Sequence, residues 1–355
     1  MLKSFRYLLF PFAFLYRIII WLRNKIFDKN ILRSATFNFP LICVGNLAVG
    51  GTGKTPMTEY LIYLLQNHFK VATLSRGYKR RTKGFAIAGD LTTAIEIGDE
   101  PMQFHQKFPE ITVAVGEERL VAIPQILYQR PHTEVIVLDD AFQHRAVKAG
   151  LNIVLTEYNN LYTRDFIFPV GDLRDLRSSI KRANIIVVTK CKPDLSVMEK
   201  QNLISEMNPL PNQKVFFTSL QYGETYHLFN KNLKNNIDDH HVLLLCGIAN
   251  PDPIKAYLNA KAKTYEMIKF KDHHIFNSTD LKEIKKQFDK LNNTNKIIVT
   301  TEKDAVRLEK FGNELKEWPV YVLPVRHEFL FDEGKDFNHC IFDFISNFSD
   351  SYIKS

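Results

Sequence analysis

Apolar residues in this chain fall into short continuous runs separated by stretches with helical spacing, the alternation expected of a sheet covered by helices. Phe39 to Val44 reads as a buried strand, and Met57 to Leu65 carries apolar residues at helical intervals. The same strand pattern returns at Val71–Ser75, Thr112–Val115, Val135–Asp140, Ile153–Glu157 and Ile185–Thr189. Helices are expected from Met102 to Lys107, capped by Asp99, and from Glu117 to Tyr128. The stretch from Gly84 to Ile97 alternates enough for a hairpin. Residues 221–241 are polar and asparagine-rich, which predicts a linker or a surface hairpin. A second strand-and-helix series follows, with strands at Val242–Cys246, Ile297–Thr300 and Val320–Leu323 and helices at Asp252–Leu258 and 279–291. The last residues, 342–355, read as a short helix with a frayed end.

Between the first strand and the first helix lies Val44-Gly45-Asn46-Leu47-Ala48-Val49-Gly50-Gly51-Thr52-Gly53-Lys54-Thr55-Pro56. Glycines here let the backbone take positive φ and turn its N–H groups toward one point, as a row of phosphate oxygens requires. Lys54 adds a mobile positive charge over the outer phosphates, and the Thr55 hydroxyl faces the Mg²⁺ that accompanies them. Pro56 suits the first helical turn, whose N-terminus adds positive potential. The first position of the standard G-x-x-x-x-G-K-[ST] pattern is Ala48, a one-residue departure, while the flanking strand and helix supply the context a P-loop needs. The expected fold is α/β: a P-loop NTPase-like sheet flanked by helices over 31–220, then the 221–241 linker or hairpin. A second, smaller α/β lobe over 242–355 completes it, and an N-terminal hydrophobic helix occupies 1–30.

That N-terminal segment is the most apolar part of the chain. Its run from Tyr7 to Leu22 contains Pro11 and Arg17 and is shorter than the roughly 20 clean apolar residues of a spanning helix. Lys3, Arg6, Arg17, Arg23 and Lys25 flank or punctuate it, and Trp21 sits near its end. Two readings fit: an interfacial membrane anchor, or a helix packed on the domain.

Several polar clusters sit where strands end, the edge at which open α/β sheets collect ligands. Val71–Ser75 runs into Arg76-Gly77-Tyr78-Lys79-Arg80-Arg81. Asp99, after Gly98, is either a helix cap or a carboxylate able to take the proton of an attacking hydroxyl. Arg119 lies in a helical first turn, unfavourable for a cation unless an anion is near. Val135–Asp140 ends in Asp139 and Asp140, the paired acids of a strand that brings a carboxylate to the Mg²⁺ beside Thr55, with Gln143 and His144 one turn on. A proline- and glycine-containing loop presents Arg174, Asp175 and Arg177. Asp272-His273-His274 lies between aromatics: its spacing fits ordinary histidines of a packed loop, or alternatively Asp272 orients one imidazole and His273 faces Asp99 across a cleft. Thr301-Glu302-Lys303-Asp304 caps the helix that follows it.

Composition narrows the partners. A formal charge of +8, from 47 basic and 39 acidic side chains, favours an anionic ligand or surface. The basic residues cluster at strand ends instead of along an exposed helix, which argues against nucleic acid. The four cysteines are widely spaced, with no disulfide or metal pattern, as in a reducing compartment.

Taken together in order, Gly45-Asn46, the Gly50–Pro56 loop, Ser75-Arg76-Gly77-Tyr78, Gly98-Asp99-Glu100-Pro101, Leu138–His144, Asp272-His273 and Thr301–Asp304 closely resemble the tetraacyldisaccharide 4′-kinase family. The resemblance implies an ATP-dependent, Mg²⁺-using kinase of lipid A biosynthesis at the cytoplasmic face of the bacterial inner membrane, peripheral or monotopic. Its acceptor would be an acylated glucosamine disaccharide phosphate lipid, with no obligate protein partner. It further implies that Gly50, Gly51, Thr52, Gly53, Lys54 and Thr55 hold the nucleotide, that Asp139 and Asp140 serve the metal with Thr55, and that Asp99 is the base tuned by His273. Asn46, Tyr78, Arg119, Gln143, Arg174 and Asp175 fall at substrate positions, Asp175 replacing a family glutamate. The rival reading of the same loop is a membrane-associated switch or transport ATPase, which has no use for Asp99 or His273.

Overall fold

The structure, a computed structural model, describes residues 6–291 and 294–353, except the side chains of 349–353; Lys3 of the expected basic flank lies outside the described residues. Helix α1 (Phe10–Asp28) precedes the first sheet. Its strands in chain order are β1 (Leu41–Asn46), β2 (Val71–Ser75), β3 (Ala86–Ile87), β4 (Thr112–Val115), β5 (Val135–Asp139), β6 (Leu151–Glu157), β7 (Ile185–Thr189) and β8 (Lys214–Tyr222). The second sheet takes β9 (Thr225–His227), β10 (Asn230–Asn235), β11 (His241–Cys246), β12 (Thr264–Lys269), β13 (Lys296–Thr301) and β14 (Val320–Leu323). Then β15 (Val325–Phe329) returns to the first.

The first sheet has the order β15-β8-β7-β6-β1-β5-β2-β4-β3, antiparallel only at its two edge pairs. Its central strands are buried on both faces, which is why they appear in the sequence as unbroken apolar runs. Helix α2 (Lys54–Leu65) packs on one face through Met57, Leu61, Ile62 and Leu65, joined by Phe104 of α3 (Asp99–Lys107). Helix α4 (Arg119–Gln129) covers the other through Ala122, Ile123 and Ile126. The second sheet, β10-β9-β14-β13-β11-β12, carries helix α5 (Glu302–Leu308).

Four expectations change. The second lobe was expected from 242 to 355, but it occupies residues 225–323, because the 221–241 stretch supplies the β9–β10 hairpin to its sheet. Beyond it β15 pairs with β8, and α6 (Gly334–Ile353), a long helix in place of a short one, packs Phe337, Ile341 and Ile345 into the α2 face of the first sheet. The Gly84–Ile97 hairpin is not formed: β3 pairs with β4, and Thr93 and Glu96 build a capping box for a helical turn at Ala94–Ile97. Asp99 opens α3 as its first residue, with Gly98 as the cap.

The chain therefore crosses between lobes twice, at Gly223 and Pro324, and the Gly223 N–H donates to the Pro324 carbonyl at 3.0 Å. Strand β15 then delivers His327 beneath the glycine loop. Its Nε2–H donates to the Gly53 carbonyl at 2.9 Å, so Nδ1 accepts from the Thr218 hydroxyl at 2.9 Å. Burial drives the His327 pKa down to about 4, against the opposing Gly53 hydrogen bond. Because the unfolded chain takes up this proton first, the contribution is present above about pH 6.5 and fades as pH falls through the folded value. His327→Ala leaves the Thr218 hydroxyl without its partner and the Gly53 carbonyl with the Met57 N–H alone, at 3.1 Å, and we expect it to lower the unfolding free energy by about 1–3 kcal/mol. Urea titration at neutral pH checks this; a change under about 0.5 kcal/mol would mean the contact contributes nothing.

Candidate active site

The glycine loop is open and tied down from below. Gly50 and Gly53 take φ values of +112° and +87°, conformations that L side chains rarely adopt. The Thr52 carbonyl accepts from the Thr189 hydroxyl at 2.9 Å, and the Thr52 hydroxyl accepts from the buried Asn46 amide at 2.9 Å. Strand ends β1 and β7 thus hold the loop while its upper face, Gly50 and Gly51, stays exposed. Lys54 opens α2, with Thr55 half-buried beside it.

The paired acids occupy different environments. Asp139 is buried and accepts from the Thr58 and Ser75 hydroxyls, each at 3.3 Å. Burial first, then the neighbouring Asp140 and Glu100, push its pKa up to about 6. Asp140 adopts a left-handed conformation, φ 47°, and turns toward cations: Lys54 Nζ at 3.8 Å and the Arg174 guanidinium in a two-pronged contact. Burial raises its pKa, but Lys54 and Arg174 outweigh that and hold it below the ordinary value. Burial correspondingly lowers the pKa of Lys54, opposed by Asp140. Arg174 also donates to the Asn46 side chain at 2.6 Å, and the Gln143 amide donates to the Asn46 carbonyl at 2.6 Å. Lys54, Asp140, Arg174, Asn46, Thr52 and Gln143 are one connected group.

A second group bridges the lobes. Asp99, at the start of α3, accepts from His273 Nδ1 at 2.7 Å and from the Arg307 guanidinium, whose Nε lies 2.9 Å from Oδ1. Cationic donors face both ring nitrogens of His273, Lys303 Nζ at 3.1 Å from Nε2 and Arg307 Nη2 at 3.0 Å from Nδ1, while Nδ1 also meets the Asp99 carboxylate. Lys303 is held by Glu100 and Asp272, each at 3.2 Å. Burial raises the Asp99 pKa, but Arg307 and His273 outweigh it and keep the carboxyl well below the usual carboxylate range. Exposed Tyr78 sets its ring edge-on to His273, 5.4 Å between centroids. The two groups adjoin, since Glu100 acts electrostatically on both Lys54 and Asp139.

Arg119 is buried at the start of α4. Its Nη1 donates to the Gly116 and Glu117 carbonyls, while Nε and Nη2 have no partner, and burial lowers its pKa to about 10. Arg174 Nε and Gln143 Oε1 are likewise buried without partners. Unpaired polar atoms from three elements around one pair of acids indicate a polar ligand.

Asp175 is different. It is 1% exposed, and its oxygens accept from Asn24 at 2.9 Å, Ser179 at 2.8 Å, the Leu176 N–H at 2.8 Å and Arg182 at 2.9 Å. Its acceptor sites are filled by the protein, so the expected substrate contact gives way to docking of α1. Sequence reasoning missed Arg307 and His327. Arg307 sits one helical turn from Lys303 in a stretch read only as a cap, and nothing local marks His327, whose partner Gly53 is 274 residues away.

The chain matches the family model described as "Tetraacyldisaccharide-1-P 4'-kinase" over residues 5–345. It is similar to the tetraacyldisaccharide 4'-kinase of Phocaeicola vulgatus, with 44% identity covering 96% of this chain and 97% of the relative. To the protein of the same name from Flavobacterium johnsoniae it shows 46% identity over 92% and 95%. Among solved structures it resembles the "apo" form of LpxK from Aquifex aeolicus in complex with ATP, at a TM-score of 0.74 and 27% identity, covering 97% of this chain and all of that one.

Asp175→Ala takes the buried anion away from Arg182, Asn24 and Ser179, leaving Arg182 its bond to the Phe142 carbonyl and Asn24 its longer bond to Ser179, and we expect it to destabilise the fold by about 1–3 kcal/mol and to speed proteolysis within α1. Protease digestion followed by mass spectrometry reads the second effect; unchanged α1 cleavage would show that Asp175 does not hold the helix.

Proposed function

The chain belongs to the tetraacyldisaccharide-1-P 4'-kinase family, and from that membership we propose that it transfers the γ-phosphate of ATP to the 4′-hydroxyl of a tetraacylated glucosamine disaccharide 1-phosphate, a step of lipid A biosynthesis. The observation that carries the reading is Asp99: a carboxylate held ionised at a cleft by the opposite lobe, next to a phosphate loop. A switch ATPase needs the loop but has no task for such a group. The loop amides and Lys54 bind and orient the triphosphate, and Lys54 neutralises charge on the oxygens being transferred. Asp99 accepts the proton of the acceptor hydroxyl as it attacks, and His273, through its contact at Nδ1, orients the carboxylate toward it. Arg119, with two unpaired nitrogens, and exposed Tyr78 are placed to hold the disaccharide, while Asn46, Gln143 and Arg174 brace the loop and Asp140.

The donor set also fits Mg²⁺. Asp139 has its pKa raised by burial and by a second acid, an environment that favours a divalent cation, and two carboxylates with the Thr55 hydroxyl leave coordination for phosphate oxygens and water. Asp139, Asp140 and Thr55 would hold the ion, which when bound neutralises phosphate charge.

Helix α1 supports a membrane setting. No helix among the described residues is long and apolar enough to cross a membrane. Yet Phe10, Phe12, Phe14, Leu15, Ile19, Trp21 and Leu22 are exposed, and the helix docks through polar contacts instead: Tyr16 to the Arg174 carbonyl, Arg23 to the Gln143 carbonyl and Asn24 to Asp175. An apolar face turned outward beside a basic cleft suits the surface of a bilayer holding an anionic lipid acceptor. We assign the protein to the cytoplasmic face of the inner membrane, where ATP is available.

Purified protein with γ-labelled ATP, Mg²⁺ and the lipid acceptor in detergent should place label on the lipid. Asp99→Asn should lower that rate by at least about 10²-fold while nucleotide binding persists; label released only as free phosphate would instead select the switch ATPase. Phe14→Asp with Ile19→Asp should reduce cosedimentation with anionic phospholipid vesicles, and equal sedimentation of variant and wild type would remove α1 from the membrane contact.

A further inference from the structure

Helix α5 offers two cations, one turn apart, to the first lobe. Lys303 reaches Asp99 only through the imidazole, whereas Arg307 meets it directly with both prongs of its fork, Nε on Oδ1 and Nη2 on Oδ2. Arg307 is buried and fixed within its own lobe, its Nη1 lying 3.4 Å from the His274 carbonyl and 3.5 Å from Asp304 Oδ1. Asp304 is in turn anchored by the Gly247 N–H and the Thr301 hydroxyl, each at 2.8 Å. The guanidinium therefore moves only with the second lobe.

We propose, resting on the kinase reading above, that Arg307 is a positioning residue for the transfer: docking of the second lobe brings its guanidinium onto Asp99, which both aims the carboxylate and keeps it free of a proton. Its neighbours fix the direction of the effect. Around Asp99 stand Glu100 on its own helix, Asp272 and His273 on the facing loop, and Lys303, Asp304 and Arg307 on α5. Without Arg307, a buried carboxylate faces three further acids with Lys303 as the single cation of that group. Burial and like charge then both favour the protonated form, which cannot accept a proton from the sugar.

The test is the pH dependence of kcat/KM for lipid phosphorylation by the full chain. In Arg307→Gln the acid limb should move up by about 1–3 pH units, the range for losing an adjacent opposite charge. The rate should therefore fall about tenfold per unit below the new limb and recover toward wild type at alkaline pH. Arg307→Lys, which keeps the charge and loses the fork, should leave the limb close to wild type with a smaller, pH-independent loss in kcat. A loss in Arg307→Gln that is equal at every pH, or an unmoved limb, overturns the proposal and leaves Arg307 a structural contact. A second reading needs no Arg307 variant: the carboxyl carbon-13 signal of Asp99, assigned with Asp99→Asn, should remain that of a carboxylate below the ordinary aspartate value of about 3.9. Titration at or above that value also overturns it. Absence of lipid labelling by the wild-type protein sinks the kinase reading, whereas labelled lipid with an unmoved limb sinks only the role of Arg307.

Discussion

A carboxylate in a narrow cleft must be paired or it takes up a proton, and this chain meets that constraint with groups from the far lobe. Asp99 belongs to the first lobe, but His273 and Arg307, which compensate it, belong to the second. The same helix, α3, carries Glu100 to Lys303, and Lys107 to Glu59 and Glu302. Lobe docking is therefore largely polar and concentrated on one helix. Asp99 and both of its partners thus meet only where the two lobes touch.

Much of this was legible in the chain. The strand–glycine loop–helix passage at Phe39–Leu65 and the acids ending Val135–Asp139 follow from strands buried on both faces and from chemistry at their carboxyl ends, whereas the pairing of Asp99 with His273, which the spacing alone does not select, follows from the family resemblance. The domain boundary was not. Nothing in the spacing says that β15 leaves the second lobe or that Phe337, Ile341 and Ile345 belong to the first sheet, because an edge strand and an amphipathic helix are satisfied by any apolar face of suitable shape. Asp175 shows the same limit at a single residue: a conspicuous acid between two arginines reads as a ligand-facing group, yet its partners Asn24 and Ser179 put it under α1.

The inversion of α1 has a physical reason. A helix normally buries its apolar stripe and exposes its charges. Here Asn24 is among its few buried residues, and Arg6, Tyr16, Arg23 and Asn24 supply the polar contacts to the domain, leaving the aromatic and aliphatic face outward. Such a helix is stable on the protein through hydrogen bonds and leaves exposed apolar surface that a lipid boundary removes from water. Its hydrogen bonds end at the Gln143 and Arg174 carbonyls, the residues that brace Asn46 and Asp140. The outward apolar face of α1 and the site architecture thus share one set of bonds.

The returning strand completes the coupling between lobes. After Pro324 the chain leaves the second lobe, and three residues later His327 supports Gly53 from beneath. The Val325 N–H, at the crossing itself, donates to Glu302 at the start of α5. The helix that carries Arg307 is in this way bonded to the strand that carries His327. The bonds run without a break from α5 through Val325 to His327 and the Gly53 carbonyl. With the two crossings also bonded to each other at Gly223 and Pro324, the lobe has little freedom to shift without the loop registering it. Asp99 and the glycine loop, which lie on separate elements of the first lobe, are in this way both bonded to side chains on α5 and β15, which are themselves joined.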